Sequence, residues 1–237
     1  MSVTSLENTN RVAIPCYDDL FRKVFNTFNI HAKIYGKEDY RCVFYGTYCE
    51  TLLWTLVQLE NLSNHNPKPI ISKRFKNLTP SSRAQILLQY DTINRQAFVS
   101  VTMAQVEDFI NALCQELFGK SFTYYAISIK KLCNKIFPQK PSKYYSLYAL
   151  YLIRNSMHNN GYIKILKDDF DLQIGSTIYK FRKGEQISFA GWDNICIITG
   201  ELFNIINETI ENKNIHSISR INHTHVYESD TGVLLNK

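Results

Sequence analysis

The chain has 237 residues, enough for one large domain or for a domain with small appendages. Hydrophobic residues make up 45% and charged residues 20%, a balance that supports a packed core and excludes global disorder. Nine glycines and six prolines are few for an all-β chain with many tight turns, and a net charge of +6 gives a mild bias toward polyanions without selecting RNA or DNA.

Residues 1–15 read as a loose start that ends at Pro15. Leu20, Phe21, Val24, Phe25 and Phe28 then fall at a helical period over residues 17–28, with Asp18 and Asp19 near the start, and Gly36 interrupts. A second helix is expected over residues 40–62, stopping in the polar run that ends at Pro67. Residues 63–80 carry three prolines and the bases Lys68, Lys73, Arg74 and Lys76, and read as a solvated connector. Ser81 or Ser82 is suited to cap the next element. Residues 83–118 are nearly free of Gly and Pro and predict one long helix or two abutting ones, closed by Gly119. A short helix over 124–137 ends at Pro138 and Pro141, and Ser142 is placed to cap the following helix.

Beyond Gly161 the period changes. Phe170, Leu172 and Ile174 alternate with polar residues, and the stretches on either side of Gly184 read as a small hairpin within 170–189. Residues 192–210 return to helix. The count is about six helices and one minor hairpin, so helix–helix packing has to close the core and the fold class is mainly α, a helical bundle. The expected division is 1–80 as an N-terminal helical extension with a basic loop, 81–214 as the helical domain, and 215–237 as a polar tail with a short strand at 225–227.

None of the six cysteines forms a Cys-x-x-Cys pair, and Cys114 and Cys133 sit in apolar helical contexts, which points to reduced, buried thiols. His223 and His225 would share one side of a strand, but no third ligand accompanies them and no metal site is read there. The start of the sequence has no basic, apolar signal pattern and no stretch is long and apolar enough to span a membrane, so a cytoplasmic protein is the expectation.

The stretch richest in chemistry is Arg154-Asn155-Ser156-Met157-His158-Asn159-Asn160-Gly161, which closes an aromatic, apolar run over residues 144–153. A helical reading stacks Arg154 and His158 on one face, four residues apart. A guanidinium binds a phosphate and an imidazole moves a proton near neutral pH. Asn159, Asn160 and Gly161 are a helix stop, because Asn and Gly tolerate the left-handed conformation. The same spacing also suits a structural pair, since both cations favour the C-terminal end of a helix dipole. Yet no Asp or Glu lies between Tyr144 and Leu166 to neutralise Arg154 locally.

This octapeptide resembles the signature of the HEPN superfamily, all-α domains named for higher eukaryotes and prokaryotes nucleotide-binding. The layout around it is similar too: a long helix carrying Glu107, a shorter helix, the Arg–His helix, a hairpin and a closing helix, together covering residues 83–212. The resemblance implies a metal-independent endoribonuclease, acting as a homodimer with a composite cleft, in which a ribose 2′-hydroxyl attacks the adjacent phosphorus. Carried over, Arg154 binds phosphate, His158 transfers protons and Asn155 positions substrate or His158, with Ser156, Asn159 and Asn160 around the substrate. RNA is then the substrate, no cofactor or metal is needed, and a toxin or anti-phage effector restrained by an antitoxin or regulatory protein is the implied setting. Three residues separate Arg154 from His158, fewer than the family's usual spacing. That departure keeps open a non-catalytic dimerisation or partner-binding module.

Overall fold

The computed structural model of the chain describes residues 3–64, 79–140 and 142–222. Most of the basic connector and the 225–227 strand expected from sequence lie outside the described residues. Among the described residues there are seven helices and one two-stranded antiparallel sheet: α1 (Val3–Tyr35), α2 (Tyr40–Asn64), α3 (Pro80–Phe118), α4 (Tyr125–Ile136), α5 (Ser142–Met157), β1 (Phe170–Ile174), β2 (Thr177–Phe181), α6 (Trp192–Glu211) and α7 (Lys213–His216). The mainly α bundle with a hairpin before the last long helix is the architecture. No helix among the described residues is long and apolar enough to cross a membrane.

Helix α1 runs straight through Pro15, so the expected loose start is overturned. Proline removes one ladder hydrogen bond, at a cost of about 3 kcal/mol in a helix interior. Fully buried Ala13 and Tyr17 on either side show how packing offsets it. Gly36, at φ 84°, ends the helix in the left-handed conformation, and its N–H reaches the Ala32 carbonyl at 3.2 Å.

Helix α3 is a single helix. Thr79, not Ser81 or Ser82, is its N-cap: the Thr79 hydroxyl accepts from the Ser82 N–H at 3.1 Å. Pro80 explains the shift, since a proline is suited to the first helical position, where its missing N–H costs nothing. Gly119 closes α3 as expected, at φ 66°. Helix α5 begins at Ser142 itself.

The hairpin turns at Gly175, not at Gly184: Phe170 pairs with Phe181 and Ile174 with Thr177. Phe170, Leu172, Tyr179 and Phe181 face inward, and Phe170 stacks on Tyr145 of α5 at 4.5 Å. The stretch after Gly184 pairs instead with the segment that leaves α5, Tyr162 bridging to Gln186.

One apolar core spans the bundle. Tyr17 and Val24 of α1, Tyr45 and Leu52 of α2, Phe109 and Leu113 of α3, Leu150 of α5 and Leu202 and Phe203 of α6 all belong to it. Helices α1 and α2 therefore share their core with the rest and are not set apart as an extension. The expected polar tail also begins too early, because Ile215 and Ile221 are buried. The buried pair Asp39–Arg41 (2.7 Å) fastens that segment. Arg41 donates to the Ile215 and Ile218 carbonyls at 3.2 and 3.0 Å, and Asp39 accepts the Ile221 N–H at 3.1 Å. The six cysteines are free thiols, five of them buried.

Candidate functional site

The site sits where α5 ends, and the sequence accounts for its position. Leu147, Ala149, Leu150, Leu152 and Ile153 are wholly buried and fix the helix in the core. Polar residues take over at Arg154. The last turn is closed by two bonds to the Ser156 carbonyl, from the N–H groups of Asn159 (2.8 Å) and Gly161 (2.7 Å). Asn160 and Gly161 hold positive φ of 55° and 86°, the conformation that reverses the chain.

Two further contacts hold this loop against the stretch after Gly184. The Ile187 N–H donates to the Gly161 carbonyl at 2.9 Å, and Gln186 Nε2 donates to the Asn160 carbonyl at 3.3 Å. The positive φ favours glycine at 161, and a Cβ there would lie 3.0 Å from the Gln186 side chain, which would have to give by a few tenths of an ångström.

Arg154 lies in the last turn of α5, half-buried, and His158 follows directly after the helix with its side chain exposed. The neutralising acid that the local sequence lacks arrives from α3: Arg154 Nη1 donates to Glu107 Oε2 at 3.2 Å. Both side chains keep about a third of their surface open, 32% and 29%. Burial raises the Glu107 carboxyl above its usual range, and the charge and hydrogen bond of Arg154 oppose that rise. Buried Tyr125 of α4 packs on α5, its hydroxyl donating to the Leu147 carbonyl at 3.0 Å and its ring 5.3 Å from Tyr151.

The other residues expected at the site divide in two. Asn155 and Asn159 are half-buried and spend an amide N–H on the helix behind them, to the Tyr151 and Asn155 carbonyls, each at 2.8 Å. Their amide oxygens accept no hydrogen bond among the described residues and are suited to a substrate donor. Asn160 is exposed at the loop tip. Ser156 does not face a substrate: it is 1% exposed and its hydroxyl donates to the Ile153 carbonyl at 2.8 Å. Its place on the inner face of α5 accounts for this correction.

The site is thus one exposed imidazole, one oriented and partly open guanidinium, a carboxylate with a raised pKa and a rim of amides. That set can bind a phosphate and move protons. Among the described residues no group of three or more His, Cys, Asp and Glu is placed to hold a metal ion. No protein-family model, no curated protein and no solved structure matches the chain.

Proposed function

We propose that the chain is a HEPN-like endoribonuclease that cleaves RNA by 2′-hydroxyl attack without a metal ion. The observation that carries this is that half-exposed Arg154 and exposed His158 stand four residues apart where α5 ends. His158 takes the proton of the attacking hydroxyl or delivers one to the leaving oxygen. Arg154, aimed by Glu107, meets the charge that gathers on the phosphate. Asn155 positions the substrate through its free amide oxygen. An open site on a single protomer leaves room for a second copy, and a homodimer would enclose the phosphate between two such termini. A cytoplasmic toxin or defence nuclease, restrained by a partner protein, is the setting in which such an activity would be used.

The test is the chemistry of the product ends. Incubated with unstructured RNA in excess EDTA, the protein is expected to leave 2′,3′-cyclic phosphates. Products with 3′-hydroxyl ends would rule out 2′-hydroxyl attack.

A second reading, a non-catalytic HEPN-like interaction module, is favoured by one observation. The Arg154–Glu107 ion pair already matches the guanidinium charge. On that reading Glu107→Gln, which frees Arg154, leaves partner binding altered and RNA intact.

A further inference from the structure

Residues 119–167 carry eight lysines and Arg154 but not one Asp or Glu, although the whole chain is only +6. These residues build α4, α5 and the segments around them, so the positive charge is gathered on one lobe of the bundle. Within that lobe is an open cavity of about 310 Å³, the lower end of the range for small-ligand sites. Its walls include Phe137, Tyr144 and Tyr148, and Lys130, Lys140 and Lys167 stand at it. The three lysines are exposed and form no ion pair among the described residues, whereas nearby Lys143 is occupied by Glu208 at 2.7 Å. Asp168 is the one acid in the cavity lining.

The cavity is joined to the Arg–His terminus by a stripe along α5. Tyr144, Tyr148, Tyr151 and Asn155 follow the 4-3-4 spacing that keeps residues on one helical face, and His158 follows directly after the helix. The rings are already aligned: Tyr144 stacks on Tyr148 and Tyr148 on Tyr151, each pair at 5.4 Å and within 25° of parallel. The stack reaches the cavity at Tyr144. From there to Asn155 the helix rises roughly 16 Å, the span of a few nucleotides.

We infer that the cavity is an RNA subsite that holds one unpaired nucleotide of a single strand while a phosphate a few nucleotides away lies at Arg154 and His158. The base packs against Tyr144 and Phe137, and the backbone phosphates meet Lys130, Lys140 and Lys167. An aromatic wall for a base beside a cluster of unmatched cations is the combination that binds single strands without reading sequence. The role as a substrate subsite rests on the nuclease assignment above, but strand binding is measurable without cleavage.

The experiment is fluorescence anisotropy of the full chain with a labelled, unstructured RNA oligonucleotide across a salt series. Its variants are Lys130→Gln/Lys140→Gln/Lys167→Gln and, separately, Tyr144→Leu. The triple variant is expected to raise Kd about tenfold or more and to make the salt slope shallower by about 2, since each phosphate contact on a single strand contributes about 0.7. Tyr144→Leu is expected to raise Kd while leaving the slope unchanged. The three lysines are exposed, so their replacement tests the subsite even if Tyr144→Leu fails to fold. Wild-type Kd and slope in the triple variant would overturn the subsite, as would absence of RNA binding by the wild type. A 5′-mononucleotide that displaces the oligonucleotide at the same concentration as unlabelled RNA would overturn strand binding in favour of a small-nucleotide site. Cleavage is followed in parallel. Lysine-dependent binding without cleavage upholds the subsite and removes the nuclease, and cleavage with lysine-independent binding does the reverse.

Discussion

Arg154 on α5 and Glu107 on α3 meet at 3.2 Å, although 47 residues separate them in the chain. The contact sets the direction of the guanidinium at the point where α5 leaves the core. Because both side chains are partly solvated, its contribution to stability is small, about 0.5–1 kcal/mol. A double-mutant cycle of Arg154→Ala and Glu107→Ala, followed by chemical denaturation, is expected to give a coupling of that size. A coupling near zero would mean that Glu107 does not orient Arg154.

The same pair has a pH signature. Burial holds the Glu107 carboxyl above its usual range, so the folded chain binds this proton more tightly than the unfolded chain does. Its stabilising contribution is complete below the ordinary Glu value of about 4.3 and is lost as pH rises through the raised value. Wild-type stability is therefore expected to fall relative to Glu107→Gln across that window. Denaturation midpoints of the two proteins, compared at intervals from acid to neutral pH, check the sign.

The closing segment offers the largest expected effect on stability. Arg41 is fully buried, binds both oxygens of Asp39 at 2.7 Å and ties down the Ile215 and Ile218 carbonyls. Arg41→Ala leaves Asp39 as a buried charge without its cation, and a loss of about 3–5 kcal/mol is expected in urea denaturation. A loss below about 1 kcal/mol would show that the segment is held by Ile215 and Ile221 alone.

Gly161 couples backbone geometry to the site. Alanine there meets both a positive φ of 86° and the Gln186 side chain at 3.0 Å. A cost of about 1–2 kcal/mol is expected from the left-handed conformation, before any clash is counted. Gly161→Ala is also expected to lower RNA cleavage more than it lowers RNA binding, because the loop that follows His158 shifts while the α5 stripe stays in place. Kd and single-turnover rate, measured on the same preparation, separate the two effects.

Much of the fold was legible because its signals are local. The apolar period marks α1 beyond Pro15 and α6, the near absence of Gly and Pro marks α3, and Gly36 and Gly119 stop α1 and α3 by a conformation that glycine favours. The failures are non-local. Alternation at Phe170, Leu172, Tyr179 and Phe181 identifies strand material, but either Gly175 or Gly184 satisfies the turn, and the register seen packs Phe170 on Tyr145 and Phe181 on Phe189, contacts that no local pattern announces. Pro15 forecasts a break that the buried flanks of α1 override. At the site, the signals that put Arg154 in the last turn of α5 and His158 just after it are local and readable. The partner Glu107, the clamp by Gln186 and the inward turn of Ser156 depend on which helices pack together. The gathering of lysines around an aromatic cavity had a readable sign, the absence of acids over 119–167, but no period in the sequence places Lys130, Lys140 and Lys167 at one opening.

The most direct test of the nuclease assignment is the single-turnover rate of RNA cleavage in EDTA by wild type and His158→Ala, with thermal unfolding of both. His158 is exposed, so its loss is expected to leave the unfolding temperature unchanged while the rate falls by about 10²–10⁴, the range for a general acid or base. Equal rates from two equally stable proteins would contradict the assignment.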